Sequence, residues 1–191
     1  MTQSKKTDNH DPRAKLNLRR YFLHKYHSQG TANVVDCCMG SGFIWRELRK
    51  EWRISSYVGL DVKRKKGRLR IDSARYLAAG GWTHDVVDID TYGSPWKHWV
   101  EVLRNMPASC TVFLTIGREM KGINILDNIA IRALGLEGMS VPKTIIAILS
   151  DISISYCLAM CYDYGIIPEE SVEAESTSNA RYVGVRLRRE S

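Results

Sequence analysis

The sequence has no internal repeat, no low-complexity tract and no long apolar run free of polar residues. Its longest apolar stretch, Thr144 to Met160, contains Asp151, Ser150, Ser153 and Ser155. A membrane span rarely carries these, so the stretch reads as a buried helix and no membrane association is expected. The N-terminus is polar and charged, without the apolar segment of a secretory signal. Cysteine is sparse and odd in number: Cys37, Cys38, Cys110, Cys157 and Cys161 all fall in apolar segments. That pattern argues against a disulfide framework and for reduced thiols in a cytoplasmic protein. A metal centre also lacks its ligands. Asp88 and Asp90 form an Asp-x-Asp pair with no third member, and Cys157 and Cys161 have no histidine nearby, so no metal is expected. His24, His27, His84 and His98 read as surface or cap residues.

What is present describes one globular domain. The 191 residues are 44% hydrophobic and 26% charged, enough for a real core and too few for two. The net charge of +7 favours a polyanionic partner.

The chain is organised around Ala32 to Gly42, Ala-Asn-Val-Val-Asp-Cys-Cys-Met-Gly-Ser-Gly. A short apolar strand ends in a Gly-Ser-Gly turn and runs into the helical spacing of Phe43 to Trp52. Strand, glycine turn and helix let backbone approach a ligand and aim helix N-terminal amides at it. Before this unit, residues 1–30 divide from the domain at 31–191 as a basic arm. Asp11-Pro12 marks a helix start, and Leu16, Tyr21, Phe22 and Tyr26 alternate with Arg13, Lys15, Arg19, Arg20 and Lys25. This segment is either a surface helix packed by its aromatic side or an arm facing a polyanion.

Downstream, Ser56 to Asp61 is a second strand, and Asp61 lies about 20 residues beyond the glycine turn, where a carboxylate can meet a ribose. The run from Val62 to Arg70 holds six basic residues and no acid. Leu69 to Ile71 is a short third strand; Asp72 either caps the helix from Ala74 or accepts from an adenine amino group. His84 to Asp90 is a fourth strand running into Thr91-Tyr92-Gly93-Ser94-Pro95, with a helix from Trp96 to Asn105. Cys110 to Gly117 is the fifth strand, and a helix is expected around Ile125 to Leu134. Pro142 opens a long helix to about Tyr164, which Gly165 stops. Two extended segments, Glu169 to Ser176 and Arg181 to Arg188, close the chain as an antiparallel pair.

Trp45 stands where a dinucleotide fingerprint has its third glycine, which argues against a hydride-transferring enzyme. The Asp36 to Gly42 segment instead resembles the S-adenosylmethionine-binding motif of class I methyltransferases, with Cys38 where those enzymes often have their first glycine. Asp85 to Pro95 (Asp-Val-Val-Asp-Ile-Asp-Thr-Tyr-Gly-Ser-Pro) is similar to a strand and Asp-Pro-Phe-Gly-Ser-Pro motif of the tRNA (guanine-N2) dimethyltransferases. Tyr162 to Pro168 and Ala180 to Arg186 resemble that family's final helix and last strands. The likeness covers about residues 32 to 188, the family's catalytic domain. Thr91 replaces the family's proline, and Thr115-Ile-Gly-Arg118 replaces its Thr-Ala-Thr-Asp stretch.

The resemblance implies an α/β fold: a Rossmann-like methyltransferase sheet of seven mostly parallel strands with a C-terminal antiparallel hairpin and helices on both faces. It implies S-adenosyl-L-methionine as cofactor, held by Asp36, Met39, Gly40, Gly42, Asp61, Asp72, Ser73 and Asp90. It also implies transfer to an exocyclic nucleobase amine, in RNA rather than DNA. Asp90 and the Thr91 carbonyl would accept the amine's hydrogens and Tyr92 would stack on the base. A protein partner would supply RNA binding. Two other readings stay open: a degenerate fold that binds and transfers nothing, favoured by Cys38 and Thr91, and a methyltransferase for a protein or small molecule.

Overall fold

The computed structural model describes residues 11–63, 69–91, 93–117, 127–140, 142–174 and 180–190. Seven strands form one sheet: β1 Asn33–Asp36, β2 Ser56–Asp61, β3 Leu69–Arg70, β4 Val86–Ile89, β5 Ser109–Gly117, β6 Ile166–Ala174 and β7 Ala180–Arg189. Their order is β3-β2-β1-β4-β5-β7-β6. The first five are parallel, and β7 inserts antiparallel between β5 and β6. The helices are α1 Pro12–Tyr26, α2 Phe43–Glu51, α3 Ser73–Ala78, α4 Trp96–Asn105, α5 Asn128–Ala133 and α6 Lys143–Ala159. This is the methyltransferase sheet that the sequence implied.

Strand alternation sorts the core into two layers. On one face Val34, Val86, Phe113 and Tyr182 pack under Phe22 and Leu23 of α1 and Ile44, Trp45 and Leu48 of α2. On the other, Val35, Val87, Val112 and Val185 pack against Leu77 of α3, Trp99 and Leu103 of α4, and Cys157. The buried Trp99 indole N–H donates to the Cys157 carbonyl at 2.8 Å, so α4 and α6 are joined by a satisfied polar contact. Cys157 and Cys161 are fully buried packing residues.

Local chemistry sets the helix ends. Asp11 Oδ1 accepts from the Ala14 N–H at 3.1 Å, with Pro12 in the first turn, so α1 starts where the Asp-Pro signal placed it. Gly165 ends the 3-10 turn that continues α6, at φ 62°. Helix α1 lies across β6, β7 and α2. The Arg20 guanidinium pairs with Glu51 of α2 at 2.5 Å, while Tyr21, Lys25 and Tyr26 converge on Glu170 of β6. Phe22 is buried, Tyr26 is half-buried and Tyr21 stays exposed, so α1 packs on the sheet by part of its aromatic side. The expected helix around Ile125 to Leu134 is the shorter α5, and residues 118–126 lie outside the described residues.

β1 is followed on one side by β2 and β3, and the chain then returns to place β4 on β1's other flank. Connections leave β1 and β4 in opposite directions, so their carboxyl ends form the switch point of the strand order, where open α/β sheets bind ligands.

Candidate active site

The end of β1 and its glycine turn form one wall. Met39 N–H donates to Leu60 O at 3.0 Å and Gly42 N–H to Met39 O at 2.7 Å, closing the turn against β2. Gly40 and Gly42 both have positive φ, 52° and 65°, a conformation that side chains disfavour. The Met39 side chain fills the space beneath the turn. A Cβ at Gly42 would come within 2.7 Å of Met39 Cε, and one at Gly59 would run into its Sδ. Met39 thus wedges turn to strand, which is why β2 carries glycine opposite Asp36.

Asp61 ends β2 beside this turn. Its Oδ2 accepts from Gly40 N–H at 3.2 Å and its Oδ1 from Lys63 N–H at 2.8 Å. Asp72 caps α3, its Oδ1 taking the N–H groups of Ala74 at 2.9 Å and Arg75 at 3.2 Å, and these backbone bonds hold its carboxyl below the usual range. Ser73 Oγ contacts His98 Nε2 at 2.9 Å. Burial pushes the Cys38 thiol up to about 12, so Cys38 stays protonated beside Ser73.

The opposite wall is the end of β4, and here α1 enters. Lys15 Nζ lies 2.7 Å from both carboxylate oxygens of Asp90. One turn later Arg19 grips Asp88, Nε to Oδ2 at 2.7 Å and Nη2 to Oδ1 at 2.5 Å. Trp45 Nε1 donates to the same Asp88 at 2.6 Å. Asp36, the register partner of Asp88, accepts from the Tyr57 hydroxyl at 2.8 Å. Burial, reinforced by the Asp88 charge, raises the Asp36 carboxyl well above the ordinary range. The neutral form of Asp36 beside an Arg-bound Asp88 satisfies this row with few charges.

Lys15, Arg19 and Trp45 were not singled out as site residues from sequence. Lys15, Arg19 and Phe22 share one helix face, and the structure shows that Phe22 belongs to the core, a fact the sequence does not carry locally. Basic residues in register with a buried aromatic are candidates for buried pairing. Trp45 stands where a dinucleotide fingerprint would have its third glycine, and its indole N–H serves Asp88.

The Thr91 hydroxyl is buried and has no hydrogen-bond partner among the described residues. Tyr92 lies outside the described residues. Beyond it, Gly117 N–H donates to Gly93 O at 3.0 Å, and a Cβ at Gly117 would press on the Gly93 backbone at 3.2 Å. Glycine in Thr115-Ile-Gly-Arg118 thus lets the loop after β4 lie against the end of β5. The structure brings Asp36, Met39, Gly40, Gly42 and Asp61 together at the β1–β2 ends and Asp90 and Thr91 at the neighbouring β4 end.

No protein-family model matches the chain, and no curated protein matches it in sequence. Solved structures do match in shape. Trm1 from Pyrococcus horikoshii, in complex with S-adenosyl-L-methionine, superposes with a TM-score of 0.64 at 13% identity, over 93% of this chain and 56% of that one. A Streptococcus thermophilus protein provisionally described as a hemolysin matches with a TM-score of 0.57 at 13% identity, over 98% and 70% of the two chains. M. jannaschii TYW2, in complex with AdoMet, matches with a TM-score of 0.52 at 10% identity, over 93% and 77%. The chain therefore spans little more than half the length of Trm1. At these identities the likeness is one of fold, and the Rossmann-like methyltransferase fold is what the chain shares with Trm1 and TYW2.

Proposed function

We propose that the chain is an S-adenosylmethionine-dependent methyltransferase whose acceptor is an exocyclic amine of a nucleobase in RNA. What supports it is that the glycine turn, Asp61 and Asp90 lie at the carboxyl ends of the neighbouring strands β1, β2 and β4. The residues fit the cofactor. Gly40 and Ser41 are exposed at the top of the turn, a Cβ at Gly40 would meet only Cys38 O at 3.7 Å, and Asp61 is anchored alongside. Asp61 would accept from ribose hydroxyls, the turn would line the methionine portion, and Ser73 with Asp72 would border the adenine. When bound, the cofactor supplies a methyl group already activated by its sulfonium.

The chain's own work is orientation. An exocyclic base amine is a poor nucleophile because its lone pair is delocalised into the ring. Asp90 and the Thr91 carbonyl accepting its two hydrogens would turn that lone pair toward the methyl position, and Tyr92 would stack on the extruded base. Lys15 holds the Asp90 carboxylate in place until the amine shares it. The net charge of +7 and the resemblance of Asp85 to Pro95 to the tRNA dimethyltransferase motif favour RNA.

A second reading has an observation behind it: Lys15 already engages both Asp90 oxygens, as in a binding module whose acceptor site is closed. Calorimetry and a methyl-transfer assay separate the two. The first function requires binding of S-adenosylhomocysteine and transfer of radiolabelled methyl groups to RNA; binding without transfer to any RNA selects the second. No heat with either S-adenosylmethionine or S-adenosylhomocysteine at millimolar concentration refutes the first.

A further inference from the structure

We infer that the outer flank of α2 carries the phosphate backbone of a single-stranded RNA next to the candidate site, an inference that rests on the RNA acceptor proposed above. A groove of about 420 Å³ opens there, reaching from Ser41 and Gly42 of the glycine turn to Arg46, Arg49, Lys50 and Tyr57. Among the described residues that line it, three are cations and none is an acid. The groove follows from the topology. β2 ends at Asp61 and β3 begins at Leu69, leaving seven residues between two parallel strands. A crossover that packs a helix on the sheet takes at least about 10–12. Among the described residues it is α2 that faces Tyr57 on this flank of β2, and Tyr57 is half-buried there.

The side chains are prepared for a polyanion with flat bases. The Arg49 guanidinium lies over the Tyr57 ring at 5.4 Å and that of Arg46 over Phe43 at 5.6 Å. An arginine already resting on a ring loses less freedom when it takes a phosphate. Lys50 pairs with Glu47 at 2.7 Å, and Arg46 is 3.9 Å from the same carboxylate, so one acid offsets part of three positive charges. Cations beside an aromatic ring are the elements of single-strand binding, in which phosphates are neutralised and bases stack. The groove adjoins the turn of the candidate site, so one strand can occupy both.

The test is fluorescence anisotropy with a short labelled single-stranded RNA across a salt series. The double variant Arg46→Ala, Arg49→Ala is compared with Arg104→Ala, Arg132→Ala, which removes the same charge from exposed pairs elsewhere. Losing two phosphate contacts lowers the slope of log K against log salt by about 1.4, hence the affinity near 0.1 M salt by about 25-fold. The control pair is expected to leave the slope unchanged. Equal effects of the two doubles, no RNA binding by the native chain, or displacement of RNA by polyglutamate at matched charge each overturn the inference. S-adenosylhomocysteine calorimetry on the same preparations keeps the two proposals apart. Intact cofactor binding with an unaltered salt slope removes the RNA path alone. A lost slope without cofactor binding supports the path and removes the methyltransferase reading.

Discussion

Lys15 and Asp90 join the first turn of α1 to the end of β4 through two contacts of 2.7 Å, across 75 residues of sequence. Lys15 is 4% exposed, so this is a largely buried pair at the end of β4 and not a surface ion pair. Any amine that reaches Asp90 must share the carboxylate with Lys15 or displace it. In the proposed mechanism Asp90→Asn abolishes methyl transfer while S-adenosylhomocysteine affinity stays within a few-fold. Radiolabelled transfer and calorimetry measure the two; undiminished transfer by Asp90→Asn removes the residue from catalysis.

Lys15→Met leaves the Asp90 carboxylate partly buried without its cation, and a loss of about 1–3 kcal/mol is expected in urea unfolding. Because the pair is coupled, the double variant Lys15→Met, Asp90→Asn should lose less than the sum of the singles. Strict additivity would mean that the two side chains do not interact in solution.

Arg19 and Asp88 are both almost wholly inaccessible. Arg19→Met strands a buried carboxylate next to Asp36, with an expected cost of about 3–5 kcal/mol. Adding Asp88→Asn should recover part of it, although Trp45 Nε1 then donates to an amide oxygen. Denaturant midpoints at constant m-value report both steps.

Asp36 gives the fold a pH dependence. Its carboxyl is raised in the native state, so the folded chain holds a proton that the unfolded chain releases, and this contribution falls as pH rises above the ordinary carboxylate range. Asp36→Asn, which keeps an acceptor for Tyr57, is expected to be less sensitive to rising pH through neutrality. Parallel losses for both chains would contradict this assignment.

His27 acts in the opposite direction. Burial first, and then Arg186, push its imidazole down to about 4, and His27 Nε2 lies 2.9 Å from Thr111 Oγ1. Below the ordinary histidine range the unfolded chain takes up a proton that the folded chain refuses, so stability is lost as pH falls from about 6.5 toward 4. His27→Gln should flatten that acid limb in thermal scans, and an unchanged limb would place its origin elsewhere.

Much of this fold is legible because its signals are local. Asp11-Pro12, the glycine turn, Asp72, Pro142 and Gly165 are punctuation whose physics acts within a few residues, and all mark or adjoin element ends. The antiparallel finish was legible from alternation in residues 169–188. The pairing of Lys15 and Arg19 with Asp90 and Asp88 was not, because a lysine one turn before an arginine looks the same on a solvated helix as on a buried one. Only the register of α1 against Phe113 and Tyr182 decides it, and that is a long-range fact. His27 caps α1 as expected, and its burial follows from the packing of that helix on the sheet, which is again long-range.

The most direct test of the central claim is a crystal structure of the chain with S-adenosylhomocysteine. The adenosine should lie between Asp61 and Asp72, with the sulfur above the glycine turn and its open side toward Asp90. A nucleoside bound elsewhere, or β1 and β4 ends closed by their own side chains, would contradict it.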